Sequence, residues 1–235
     1  GTGRKPRLSR EEIAVAAMRI ADTEGFESLS MRRLAAELDV GTMSIYHYVR
    51  TKDELLALLT DEVVGEINLA PGDTMPHAWQ DAVRLIAHRS LASLRRHPWV
   101  LDIQDDPPFG PNSVRHFDQS LAAVAALPGT MTDRLDLLHA IDEFVFGFML
   151  MERTHYGDSG MPPPPLMDYL ASLLESGDYP ALSELVGRSG LRGTFDLLAD
   201  HARDPERFDR QLERLIAGFE ADAGRHRRDD ERRKR

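Results

Sequence analysis

Thr42, Met43, Ser44, Tyr46, His47 and Tyr48 crowd into seven consecutive positions, and Lys52 follows four residues later. Two hydroxyls and an imidazole on one short helix can hydrogen-bond to base edges, and a methionine side chain can lie against a thymine methyl. The two phenols and the lysine suit phosphate oxygens, as do Arg32, Arg33 and the N-terminal Arg4, Lys5 and Arg7. A helix of this content lacks the charged face that solvent normally sees and fits a polar, contoured partner such as a DNA groove. Each residue alone has a plainer account: tyrosines pack in cores, a lone lysine is solvated, and an arginine pair is a polar helix face. Their concentration in one segment favours contact.

The flanking sequence supplies the parts that would position that segment. Ser9-Arg10-Glu11-Glu12 is a capping box, in which the serine oxygen accepts the Glu12 amide and the carboxylate reaches back. Ile13, Ala16, Ala17, Ile20 and Ala21 follow at helical spacing, and Gly25 stops the helix. Ser30 caps a second helix with Met31, Leu34, Ala35 and Leu38 inward and Arg32 and Arg33 outward. Asp39-Val40-Gly41 forms a turn into the short helix, which spans about residues 42–49. Thr51-Lys52-Asp53-Glu54 is a second capping box; its free amides and lysine favour an anion. It opens a longer helix marked by Leu55, Leu58, Leu59, Glu62 and Val63.

Residues 69–76, rich in Pro and Gly, break the pattern, which divides the chain into a head (1–68), a body (69–224) and a charged tail (225–235) expected to be disordered. The body shows helical periodicity throughout and no alternating strand, so the fold class is all-α. Trp79 to Leu94 marks one helix, interrupted by His97-Pro98, before a proline-rich loop at 104–111. Val114, Phe117, Leu121 and Val124 mark the next. Thr132 caps a long one reaching Tyr156, and a loop spans 157–165. Two or three short helices fill 166–202, and Asp204-Pro205 opens a last one with Phe208, Leu212, Leu215, Ile216 and Phe219.

The net charge of −10 is unevenly spread: +2 over residues 1–52, −16 over 53–224 and +4 over 225–235. An acidic body does not oppose a phosphate-binding head, because physiological salt screens charges beyond ~8 Å. The absence of cysteine excludes disulfides, thiol nucleophiles and thiolate metal sites. The basic N-terminus has no apolar stretch of signal-peptide type and no apolar run approaches a membrane span, so a cytoplasmic protein without membrane contact is expected. No phosphate-cradling glycine loop, HExxH or serine elbow promotes an enzyme. An unrecognised all-α enzyme and a helical interaction module without DNA binding are the rival readings; salt-dependent duplex binding separates them from the first.

The capping box at Ser9 followed by LAAELDVGTMSIYHYVRTKDELL resembles the DNA-binding domain of the TetR family of bacterial regulators. Asp39 departs from a frequent glycine, but aspartate tolerates left-handed backbone. AIDEFVFGFMLME and FDRQLERLIAGFE resemble, more loosely, the tetracycline-repressor type of ligand-binding and dimerisation domain. The resemblance implies a homodimer that reads a palindromic operator whose half-sites lie ~34–36 Å apart. Arg32, Thr42, Met43, Ser44, Tyr46, His47, Tyr48 and Lys52 would touch double-stranded DNA. The two last-named apolar helices are candidates for a four-helix dimer interface. A small, mostly apolar effector would enter the body, where Trp79, His88, Trp99, Phe117, His139, Phe144, Phe148 and Met151 are candidate lining residues, with Asp142 a further informative polar group. No cofactor is expected. Tetracycline repressors hold a magnesium–drug chelate, but those ligands do not map onto this chain, so no metal is expected either.

Overall fold

The structure, a computed structural model, describes residues 8–103, 110–155 and 161–233, with the backbone alone at 154–155 and 226–233. Arg4, Lys5 and Arg7, Tyr156, and residues 104–109 and 157–160 of the loops expected at 104–111 and 157–165 lie outside the described residues. Among the described residues there are ten α-helices and no strand. They are α1 (Arg10–Glu24), α2 (Met31–Glu37), α3 (Thr42–Tyr46), α4 (Lys52–Ile67), α5 (Trp79–Arg96), α6 (Pro111–Ala123), α7 (Met131–His155), α8 (Pro164–Glu175), α9 (Pro180–Arg203) and α10 (Arg207–Arg233). Two compact units divide the chain: residues 1–146 with 219–235, and residues 147–218. Residues 69–76, read as the boundary between head and body, fall between α4 and α5, and α4 packs on α1 and also on α5 and α6.

Local chemistry sets the helix starts. Ser9 accepts the Glu12 amide at 3.1 Å while Glu12 accepts the Ser9 amide at 2.8 Å. Ser30 accepts from Arg33 N at 3.1 Å and Thr51 from Glu54 N at 3.1 Å. Glu54 returns to the Arg50 amide at 2.6 Å, one residue earlier than a standard box. Four expected boundaries move. α3 ends at Tyr46, not near residue 49. The long helix is capped by Thr130 instead of Thr132: Asp133 accepts Thr130 N at 2.6 Å and donates its own amide to Thr130 Oγ1 at 3.3 Å. α10 starts two residues beyond Pro205, because Asp204 accepts the Glu206 amide at 2.9 Å and pairs with Arg210 at 2.6 Å. The tail expected to be disordered continues α10 to Arg233, consistent with a run free of Gly and Pro after Gly224 and rich in helix-favouring Arg.

The head core is Ile13, Ala17, Ile20, Leu34, Ile45, Val49, Leu55 and Leu59, all essentially fully buried. Trp99 joins it. This residue, expected in a ligand pocket, stacks on Phe26 at 5.8 Å and donates its indole N–H to Asp22 at 2.7 Å. The buried ring of His97 lies 2.8 Å from Asp22 and 3.1 Å from Glu66, tying α1 and α4 to the end of α5. Arg89 donates to the Glu66 and Asn68 carbonyls at 2.9 and 2.6 Å, satisfying the carbonyl end of α4 with a cation.

In the second unit Phe148 meets Phe208 edge-on at 5.0 Å, and the Arg207 guanidinium lies 4.4 Å above the Phe148 ring. α9 is broken at Gly190, whose φ of 73° suits glycine. α8 buries no residue, although Leu166, Met167, Tyr169, Leu170, Leu173 and Leu174 all belong to it. The apolar stripes of α7 and α10, read as dimer surfaces, are spent largely inside the protomer: Leu137, Ile141, Val145, Phe208, Leu212 and Ile216 are buried. α8 and α9 expose Leu166, Tyr169, Leu182, Leu185, Leu197 and Leu198, and α7 itself exposes Phe146, Leu150 and Met151.

Candidate nucleic-acid interface and effector cavity

The presentation of α3 follows from two buried anchors and one unusual backbone angle. Asp39 takes φ +51°, the left-handed conformation the turn requires, and lets Val40 N reach Ala35 O at 3.0 Å. Ile45 and Val49 are 0% exposed, which fixes the inward side of the segment. The outward side carries Met43 at 71% and Tyr46 at 41% exposure, with His47 exposed and Thr42 and Ser44 half-buried beside them. Tyr48 is half-buried against the head core, so its ring is partly packing. Lys52 is exposed, its ammonium 5.8 Å from the centre of the Phe26 ring. Arg32 is exposed on α2. Arg33, read as pointing outward, folds back: its Nε lies 3.0 and 3.1 Å from the Glu24 oxygens and its Nη1 2.7 Å from Glu37. Those hydrogen bonds hold the Glu24 carboxyl below its usual range.

A cavity of about 350 Å³ opens among α4, α6 and α7. α4 contributes Thr60 and Val64, and α6 contributes Ser113, His116, Phe117 and Ser120. The third wall is Leu135, Leu138, His139 and Asp142 of α7. Burial pushes the His116 imidazole below its usual range, which leaves it neutral at pH 7. Asp142 keeps access to water, yet desolvation by its surroundings pushes its carboxyl up to about 6; Glu143 adds to the rise and His139 opposes it.

Of the eight candidate lining residues, the cavity brings together Phe117 and His139. Trp79 is buried on α5 outside it, and His88 is exposed on α5, contrary to its expected inward place. Phe148 belongs to the core of the second unit, Phe144 is half-buried on α7, and Met151 is 46% exposed. Helical spacing identifies a stripe but not which of several neighbouring elements that stripe meets, which is why these aromatic residues scatter.

Sequence reasoning missed Asp61. It is buried on α4 and accepts Asn112 N at 3.1 Å, Ser113 N at 2.8 Å and Ser113 Oγ at 2.7 Å. It thus caps the N-terminus of α6 from another helix, and a Cβ at Gly110 would collide with its carboxylate. Asn68 Nδ2 adds a bond to Asn112 O at 3.0 Å, and Gln119 Oε1 accepts Leu69 N at 2.8 Å. One signal was available: a helix opening on Gly110-Pro111 has no cap of its own and needs an outside acceptor.

A short helix standing out from a small helical core, joined through α4 to a cavity-bearing helical body, defines a helix-turn-helix DNA-binding protein. The family description "Bacterial regulatory proteins, tetR family" matches residues 13–59, and "Tetracyclin repressor-like, C-terminal domain" matches residues 71–223. The chain belongs to the TetR family and is a DNA-binding transcriptional regulator. It is 34% identical to the HTH-type transcriptional repressor DrrR1 of Streptomyces coeruleorubidus, over 93% of this chain and 79% of that protein. Apo ActR from Streptomyces coelicolor superposes with a TM-score of 0.72 at 28% identity, covering 95% of this chain and all of that one. ActR in complex with actinorhodin superposes with a TM-score of 0.68 at 27% identity, over 94% of this chain and 99% of that one. DrrR1 is a transcriptional repressor and ActR a TetR family protein. No described helix of the present chain is long and apolar enough to cross a membrane.

Proposed function

We propose that this protein is a cytoplasmic, non-enzymatic homodimeric repressor that grips a palindromic operator through α3 and releases it when a small molecule fills the α4/α6/α7 cavity. The observation that carries this reading is the double duty of α4. Its first turn, capped by Thr51, carries Lys52 directly behind α3, and Thr60 and Val64 further along form one wall of the cavity. Thr42, Met43, Ser44, Tyr46 and His47 would face the major groove, with Arg32, Tyr48 and Lys52 on phosphates. A ligand that displaces α6 would draw on α4 through Asp61, and a tilt of α4 in each protomer would change the separation of the two heads. The ligand needs only to bind the mismatched arrangement better than the matched one to shift the population.

The uncovered apolar surface of α8 and α9 supports the dimer: Leu166 and Tyr169 of α8 and Leu182, Leu185, Leu197 and Leu198 of α9 are each more than a third exposed in the protomer, which a second copy would relieve. ActR bound to actinorhodin supports a small-molecule effector. The test is a Tyr46→Ala, Lys52→Ala double variant in a gel shift. The variant should keep its helical content and dimeric mass and lose operator binding; unchanged binding would reject α3 as the reading helix.

A further inference from the structure

We propose that the α4/α6/α7 cavity selects a cationic effector: a compact apolar body carrying one protonated amine, which pairs with the carboxylate of Asp142. This rests on the reading of that cavity as the effector site, and it concerns the charge of what enters.

The lining holds one carboxylate, two imidazoles and three hydroxyls, and no lysine or arginine. An anionic ligand would therefore find no permanent counter-charge on these walls. His116 is neutral, and His139 lies one helical turn from Asp142 on the same helix, without a hydrogen bond between them. The Asp142 carboxylate lines the cavity, keeps access to water and has no hydrogen-bond or ion-pair partner among the described residues, while partial desolvation raises its pKa. An unpaired carboxylate on the wall of a cavity otherwise mostly apolar offers an acceptor to a bound donor, and a charged donor makes the shortest and strongest such bond. The surrounding field has the same sign. Glu143 follows Asp142, and on α4 Glu62 is pushed upward by its own burial and by Asp61, Glu11 and Glu66. The body of the ligand must be mostly apolar because Val64, Phe117, Leu135 and Leu138 contribute the rest of the wall, and the volume admits a small polycyclic molecule.

Three probes of nearly one shape isolate the charge: 1-pyrenemethylamine, 1-pyrenemethanol and 1-pyrenecarboxylic acid, titrated into the full-length protein without DNA at pH 7.5 and followed by pyrene anisotropy and thermal shift. The amine should bind tighter than the alcohol by about tenfold or more, the lower end of what a hydrogen bond to a charged group supplies, and the acid should bind weakest. In Asp142→Asn the amine should fall to the level of the alcohol, while the alcohol is unchanged. That unchanged value also shows that the variant is folded and its cavity intact. Should the acid or the alcohol match the amine on the native protein, or should the preference for the amine survive in Asp142→Asn, the charge inference is overturned and the cavity remains an effector site. Should none of the three bind, the cavity does not admit an apolar body and both readings fall.

Discussion

Replacing Asp61 with alanine tests whether α6 is physically held by α4. The substitution removes the acceptor for two backbone amides and one hydroxyl at the start of α6. Loss of a helix cap costs about 0.5–2 kcal/mol, and breaking a hydrogen bond to a charged group about 1.5–3 kcal/mol. The three donors are only partly buried, so water replaces part of the loss and the net is about 2–4 kcal/mol. For a chain of this size each kcal/mol lowers Tm by roughly 2–4 °C, which gives a fall on the order of 10 °C by differential scanning fluorimetry. Asp61→Asn keeps one acceptor oxygen but turns an amide toward the Asn112 N–H, and should fall between the two. The functional half needs no ligand. Ser120→Phe fills the cavity from α6 and should weaken operator binding about tenfold, within the usual range of allosteric coupling. In the Asp61→Ala background the same change should weaken binding by less than about twofold, a non-additivity that a double-mutant cycle reads directly. A melting point within about 1 °C of the native protein would refute the cap. Additive effects on operator affinity would refute Asp61 as the link from cavity to head.

Asp142 makes stability depend on pH in a stated direction. Its folded carboxyl titrates at about 6 against an ordinary 3.8, so the folded state holds a proton there that the unfolded state has lost. Stability therefore falls as pH rises from about 4 to about 6, and Asp142→Asn should gain in Tm over the native protein across that window, hold the gain above it and show none below; a gain of the opposite slope would reject the desolvation account. Trp99→Phe keeps the stack on Phe26 but removes the indole bond to Asp22, and should cost about 1 kcal/mol in urea denaturation; no loss would mean that this bond contributes nothing. Leu166→Asp with Tyr169→Asp places two charges on the exposed face of α8 and should shift the mass in analytical ultracentrifugation from dimer to monomer, whereas an intact dimer would place the interface elsewhere.

The head was far more legible than the body, for a physical reason. Ser9, Ser30 and Thr51 each bond to an amide three residues away, and Asp39 adopts a backbone angle its own side chain tolerates, so those features are contained in a few consecutive residues. The exposure of Met43, Tyr46 and His47 follows from the burial of Ile45 and Val49 at adjacent helical positions. Arg33 was misread because the partner that turns it inward, Glu24, is nine residues away on another helix. Trp99 was misplaced more severely: its partner Asp22 lies 77 residues earlier, and no local pattern shows that the segment after α5 returns beneath the head.

The amino-acid sequence by itself determined the helical character of the chain, the capped starts of α1, α2 and α4, the left-handed turn before α3 and the residues that α3 exposes. These rest on hydrogen bonds within one turn and on the 3.6-residue repeat. Only the tertiary structure decided where the cavity lies, that Asp61 begins a helix some fifty residues away, that His139 and Asp142 share a wall with α6, and that α8 buries none of its residues. Those outcomes depend on which faces of different helices meet, and that choice is made by packing among distant residues whose energies no local window contains.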